Sequence, residues 1–236
     1  SSDLYLGVTH KGQWEQYKKS RDEFAVALTN KSIKSTNDVG PLLTTTWHQT
    51  DPYNLLCPPG DGGTSAVGCV ATAAAQIMAY WKYPIAGNGT KTYWWDGDNS
   101  CGGSTAGDSL TADYLDPYDW DNMIDDCTSS STAAEKAAVS ELCYEVGVAF
   151  STDYGNCGSA ASTLEARNVF PDYFYYDNST EYQTRFYYSP TEWFAMIQTE
   201  IDNGRPLQYR IFNHSIVCDG WRVSGDLNQY HINYGW

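Results

Sequence analysis

Basic residues are scarce in this chain. Its 236 residues carry 14 Lys plus Arg against 29 Asp plus Glu, a net charge of −15, and no basic run is long enough to follow a phosphate backbone. That excludes nucleic acid as a partner on electrostatic grounds. No apolar stretch approaches the ~20 residues of a membrane-spanning helix, so no membrane partner is expected. The opening "SSDLYLGVTHKGQW" lacks the apolar centre of a signal peptide, so an exported form would already have lost its signal. The cysteines form no CxxC pair and no Cys/His cluster at zinc-finger spacing, which disfavours both a dithiol oxidoreductase and a metal centre. No cofactor is expected. Histidine is also rare: His10, His48, His214 and His231 are all there is to supply an imidazole base.

What is present is enough for a sizeable core. Apolar residues make up 42% and aromatics 15%, which suits one globular domain or two closely packed halves. Seven cysteines, at 57, 69, 101, 127, 143, 157 and 218, are an odd number. The simplest parity is three disulfides and one free thiol, with the pairing left open. Sequons at Asn30, Asn88, Asn178 and Asn213 fit a secreted, extracellular protein whose source glycosylates.

Along the chain, Trp14, Tyr17, Phe24, Ala25 and Leu28 recur at helical spacing within residues 13–30, and the polar "KSIKSTNDVG" follows. Residues 1–38 therefore read as an N-terminal arm ahead of a main domain over 39–236. The segment "PLLTTTWHQTDPYNLLCPPGDGGTSAVG" is rich in turn formers and reads as loop. The alanine-rich run from Gly68 or Cys69 to about Tyr80 predicts a buried helix, and a loop-rich stretch is expected from there to about residue 130. "STAAEKAAVSELCYEVGVAF" predicts a second helix capped at Ser131 or Thr132. A third has Ser189 as N-cap, Pro190 at the first helical position, Glu192 three residues after the cap and Gly204 beyond its end. The period then changes to strands in "PLQYRIF", "HSIVCDGWRV" and "QYHINYGW", with a hairpin at "SGDLN". The class is α+β, with two unlike halves and a cleft between them.

Cys69 stands at the predicted N-terminus of the alanine-rich helix. Unpaired N–H groups and the helix dipole favour a thiolate at such a position. Gly68 before it lets a substrate backbone come close, and the Cys69 amide can donate to an oxyanion. The plainer alternative is a structural cysteine or a disulfide partner. His214 opens a predicted strand and follows Cys69 at the ~130–150-residue spacing of papain-type peptidases, although a solvated strand histidine would look the same. His231 and Asn233 share a strand face, and a group on that strand could orient the His214 imidazole.

These residues carry a resemblance. "GCVATAAAQIMAYWKYP", "PLLTTTWHQTDPYNLLCP", "YDWDNM", "SELCYEVGVAFSTDYG" and "HSIVCDGW…YHINYGW" are similar, in order, to the streptopain family of secreted cysteine peptidases, bacterial enzymes of papain-like fold. The resemblance covers about residues 39–236. It implies Cys69 as nucleophile and His214 as general base, with Asn233, Tyr234 and Trp236 supporting the imidazole. It implies an oxyanion site at the Cys69 amide, to which Gln49 is a candidate second donor. "DYGNCGSAAS" resembles the family's substrate loop, so Gly158, Ser159 and Ala160, with Gly68, are expected to line the cleft.

Family members are made as zymogens, and residues 1–38 resemble the end of a pro-segment. Expected partners are protein or peptide substrates, the pro-segment itself and a separate C-terminal fragment, since family chains continue past the position of Trp236. A proteolytic loss or an unresolved end would serve the same reading. Phe212-Asn213 replaces the usual Gly-Gly before the histidine, which implies altered geometry or a crowded cleft. The rival reading is a catalytically impaired fold kept as an extracellular structural or binding module.

Overall fold

Small side chains let one helix sit at the centre of this molecule. The computed structural model describes residues 3–6 and 38–236; the helix expected within 13–30, His10 and the Asn30 sequon lie outside them. Strand β1 is Asp3–Leu6 and β2 is Asp38–Val39; β3, Pro59–Gly60, and β4, Gly63–Thr64, form a short hairpin. Helix α1 then runs from Cys69 to Trp81, as the alanine run predicts, and stops where Lys82 takes a left-handed conformation.

The stretch read as loop contains a hairpin. Strands β5, Thr90–Trp95, and β6, Asp108–Asp113, pair in antiparallel register. Exposure alternates along β5, but tryptophans and tyrosines spread through a Gly- and Asp-rich segment hid that period. Helix α2, Ala133–Ala149, starts in a capping box between Thr132 and Glu135. Helix α3, Ala166–Phe174, was missed because Pro171 lies inside it. Its signal was there in Ala166, Val169, Phe170 and Phe174, all buried at helical spacing. Strand β7 is Glu181–Thr184. Helix α4, Pro190–Asp202, has the predicted Ser189–Glu192 capping box, and Gly204 beyond its end has φ 69°.

The last third is a sheet of β8, Leu207–Ile211, β9, His214–Ser224, and β10, Leu227–Asn233. Its strand order is β10-β9-β8-β1-β7, and β2 joins β9 beyond the end of β8. The expected hairpin falls at Gly225-Asp226, where Gly225 has φ 60°.

One core, containing Val70, Ala74 and Met78 of α1 with Leu142, Cys143 and Val146 of α2, fills the helical half. A second packs Trp193, Phe194, Ile197 and Ile201 of α4 against Leu207, Cys218 and Trp221 of the sheet. Ala73 and Ile77 of α1, with Leu43 and Val217, form a third cluster between the two halves. The nucleophile candidate thus begins the helix that both halves share.

The cysteine parity needs correction. A single disulfide joins Cys101 and Cys157, and Cys57, Cys69, Cys127, Cys143 and Cys218 are free thiols. Cys101 and Cys157 sit on exposed loops with Cα atoms 5.5 Å apart. Cys57, Cys127, Cys143 and Cys218 are instead buried as small apolar groups in the two cores. Burial pushes the Cys57 and Cys218 thiols up to about 12 and the Cys143 thiol upward as well. Alkylation in denaturant without reductant is expected to count five thiols by intact mass; a count of one would restore the three-disulfide parity.

Helix α2 also buries Glu145, whose carboxylate accepts the Tyr118 hydroxyl at 2.6 Å. Burial pushes this carboxyl up to about 8, and Glu141, Asp116 and Asp113 add to the rise. Between the ordinary glutamate range and pH 8 the folded chain keeps a proton that the unfolded chain has lost, so stability falls as pH rises through that window, by up to about 1.4 kcal/mol per pH unit. Urea titrations from pH 5 to pH 9 are expected to show this slope in the native protein and a flatter one in Glu145→Gln.

Candidate active site

The site is built where α1 begins. Gly68 precedes the helix with φ 89° and ψ 141°, a conformation that suits glycine. A Cβ there would lie 3.1 Å from the Ser159 Cβ, so Gly68 also lets the 155–160 loop close against the helix start. Its carbonyl accepts both the N–H and the hydroxyl of Thr72 at 3.0 Å. Cys69 follows, partly exposed, while the other four free thiols are buried. As the first helical residue, its N–H has no acceptor within the helix.

His214 begins β9, after the two-residue turn Phe212-Asn213 that leads out of β8. Asn213 takes φ 55°, which asparagine tolerates well, and Phe212 is 85% exposed, away from the cleft lining. The imidazole Nε2 lies 2.8 Å from the Tyr234 carbonyl. A carbonyl only accepts, so Nε2 carries the proton and Nδ1 holds the free lone pair. Trp236 stacks on the imidazole at 4.0 Å and 12°, and the Tyr234 ring lies parallel at 6.5 Å. Gly235 between them has φ 71°, and a Cβ there would meet Thr72 Cγ2 at 3.1 Å. The segment that fixes the histidine therefore rests on the first turn of α1.

Asn233 does not reach His214. Its Nδ2 donates to the Thr45 carbonyl at 2.7 Å and to Gln76 Oε1 at 2.9 Å. Its Oδ1 accepts Gln76 Nε2 at 3.3 Å and the Gly235 N–H at 3.1 Å. All its hydrogen-bonding capacity is used to tie β10 to α1, and it acts on the imidazole only through the Tyr234-Gly235 backbone. Gln76, fully buried in α1, also accepts the Thr45 hydroxyl. Sequence reasoning passed over it; a glutamine among the alanines of a buried helix was the signal.

Cys69 and His214 line one open cleft of about 600 Å³ together with Gln49, Gly158, Ser159 and Trp236. Gln49 is held beside the helix start by its carbonyl, which accepts the Val67 N–H, and its side-chain amide donates to the Gly235 carbonyl at 3.3 Å. The Ser159 hydroxyl is occupied structurally, donating to the Ala66 carbonyl at 2.6 Å. Gly68 is buried behind the cleft, and Ala160 pairs with Asp153 in a β-bridge outside its lining. His48, Thr50, Asn156 and Asn213 also line the cleft and went unremarked as lining groups in the sequence. The His48 Nδ1 accepts the Thr50 N–H, and burial lowers this imidazole's affinity for a second proton. Among the described residues no group of three His, Cys, Asp or Glu could hold a metal ion.

Residues 47–236 match the Peptidase C10 family. The chain is 31% identical over 204 residues to streptopain of Streptococcus pyogenes and 29% identical over 195 residues to the thiol protease/hemagglutinin PrtT of Porphyromonas gingivalis. Each alignment takes in 80% of this chain, with 50% of streptopain and 21% of PrtT. The active wild-type interpain A cysteine protease of Prevotella intermedia superposes with a TM-score of 0.72 and 33% identity, over 85% of this chain and 83% of the other. A fragment of prointerpain A from the same organism gives 0.74 and 32%, over 98% and 78%. The fold is that of these cysteine proteases, α+β with a helical half against an antiparallel sheet. The chain spans about half the length of the streptopain relatives it matches.

Removing the amide of Asn233 leaves the buried Gln76 without its partner. Asn233→Ala is expected to lower stability by about 1–3 kcal/mol, measured by urea denaturation. A loss within error would mean that water replaces the pair.

Proposed function

Because the chain belongs to the Peptidase C10 family, we propose that it is a secreted cysteine endopeptidase acting through Cys69 and His214. The observation that carries this reading is the shared cleft: the one partly exposed free thiol and an imidazole whose Nε2 is pinned to Tyr234 line the same opening. With Nε2 occupied, Nδ1 is the nitrogen free to exchange a proton with sulfur.

In the reaction the Cys69 thiolate attacks the peptide carbonyl while His214 holds the proton on Nδ1. The oxyanion accepts the Cys69 N–H and the Gln49 side-chain amide, which gives up its long bond to Gly235. The tetrahedral intermediate collapses as His214 protonates the leaving amine, and a thioester remains on Cys69. His214 next takes a proton from water; the hydroxide adds to the thioester, and collapse releases the acid and restores the thiolate. Trp236 covers one face of the imidazole and limits its contact with water. Tyr234 contributes its carbonyl, and Asn233 fixes that carbonyl.

Gly158 and Ser159 form one wall of the substrate channel, with Gly68 and Ala160 behind it. Phe212 stands clear of the lining while Asn213 borders it, so the cleft stays open beside His214, which supports the enzyme over an inert binding module. An exposed disulfide favours an oxidising, extracellular setting. Among the described residues no helix is long and apolar enough to cross a membrane. Residues 1–38 read as the end of a pro-segment, with β1 paired between β8 and β7 of the domain sheet.

Cys69→Ala is expected to abolish casein cleavage and labelling by an epoxide thiol inhibitor. His214→Ala should lower kcat roughly 10²–10⁴-fold. Casein cleavage that survives Cys69→Ala in a purified, processed sample would sink the assignment.

A further inference from the structure

The cleft wall at Asn156–Ser159 is held by a device away from the nucleophile. The Asp98 carboxylate is 1% exposed and accepts four hydrogen bonds. Its Oδ2 takes the Asp61 and Asn156 N–H groups, both at 2.8 Å; its Oδ1 takes the Ser100 N–H at 2.8 Å and the Ser100 hydroxyl at 2.7 Å. These bonds, led by that from the Ser100 hydroxyl, hold the carboxyl below the usual carboxylate range. One buried anion thus gathers three loops: the β3–β4 hairpin, the segment after β5, and the cleft wall.

The same three loops are joined a second time. The Ser100 hydroxyl accepts the Cys157 N–H at 3.0 Å, and the Asn156 side-chain amide donates to the Asp61 carbonyl at 3.0 Å. Next to Ser100, Cys101 forms the disulfide with Cys157. Gly60 fits closely over the carboxylate, since a Cβ there would lie 2.4 Å from Asp98 Oδ2. The backbone N–H groups of Asn156 and Cys157 both end on this assembly. Asn156, Cys157 and Gly158 line the cleft, whereas Asp98, Ser100 and Cys101 do not. The other end of the loop is fastened separately, by Ser159 to Ala66 and by the Asp153–Ala160 bridge. Only the crown of the loop, its cleft-facing part, depends on Asp98 and the disulfide.

We propose that Asp98 and the Cys101–Cys157 disulfide are a positioning staple that sets the substrate-binding wall, so that affinity for an extended peptide depends on them while the reactivity of Cys69 does not. The inference rests on the cleft of the proposed peptidase being the substrate channel. An extended substrate pairs its backbone with a wall whose own polar groups are fixed in advance, and fixing them beforehand lowers the ordering cost of binding. Cys69 and His214 are set by α1 and β9, which the staple does not touch.

The test compares native protein with Asp98→Asn and with Cys101→Ser, which opens the disulfide without changing the cleft-lining Cys157, all without reductant and with alkylation read at Cys69 by peptide mass. Asp98→Asn keeps the shape but turns one acceptor oxygen into a donor facing donors. For a fluorogenic peptide spanning several residues on each side of the cut, KM is expected to rise about three- to tenfold in each variant, the worth of one lost hydrogen bond or so, with kcat nearly unchanged. Alkylation of Cys69 by iodoacetamide, which fills no extended channel, should keep its native rate in both. A fall in kcat or in the alkylation rate matching the loss in kcat/KM would overturn the staple, as would an unchanged KM in Cys101→Ser, which keeps Asp98 and so guards against misfolding of Asp98→Asn. Failure of the peptidase reading shows separately, as native protein that cleaves no peptide.

Discussion

A reciprocal amide pair between Gln76 and Asn233 is the interaction on which the site depends. The two halves of the molecule have separate cores, and small residues of α1 fill the seam. Apolar packing fixes how far apart the halves sit but leaves sliding along the seam comparatively cheap, because dispersion is weakly directional. Two amides that exchange both hydrogen bonds in a partly buried place favour one register. With that register set, Gly235 meets Thr72, the Tyr234 carbonyl faces Nε2, and the imidazole of one half borders the same cleft as the thiol of the other.

The protein sorts its cysteines by environment. Four thiols are treated as hydrocarbon and two are oxidised on the surface. The last stands at a helix start with a cleft before it. Counting could not find this partition, because parity assumes that each cysteine in an exported chain seeks a partner. Burial in an alanine- and aromatic-rich interior is an equally good answer for a small polarisable side chain.

Local signals were readable in the sequence wherever they were self-contained. The Thr132 and Ser189 caps, the turn at Gly225-Asp226 and the helix beginning at Cys69 each involve a handful of neighbouring residues, and each fell within a residue or two of its predicted place. The β5–β6 hairpin escaped because its alternation is carried by aromatics with large exposed faces. Helix α3 escaped because a single proline outweighed a correct apolar spacing. In the site, Cys69 and His214 could be named from their positions and from the family resemblance. Asn233 could be named as a supporting residue, but not its route through the next residue's carbonyl, since a backbone acceptor leaves no trace in side-chain identity. Gln76 left only a polar letter in an alanine helix and Asp98 left none, for a related reason: their importance lies in loops and strands brought together from distant parts of the chain.

An exposed disulfide and a free thiol on one cleft give the molecule a handling problem. Thiol reagents open a disulfide by exchange and have no such reaction with a free thiol, and the outward-facing bond is open to attack. Buffers rich in dithiothreitol leave the free Cys69 thiol as it is and open the Cys101–Cys157 bond, so they report on a molecule whose strap has been untied. Binding measurements gathered in strong and in mild reductant should be treated as belonging to two different molecules.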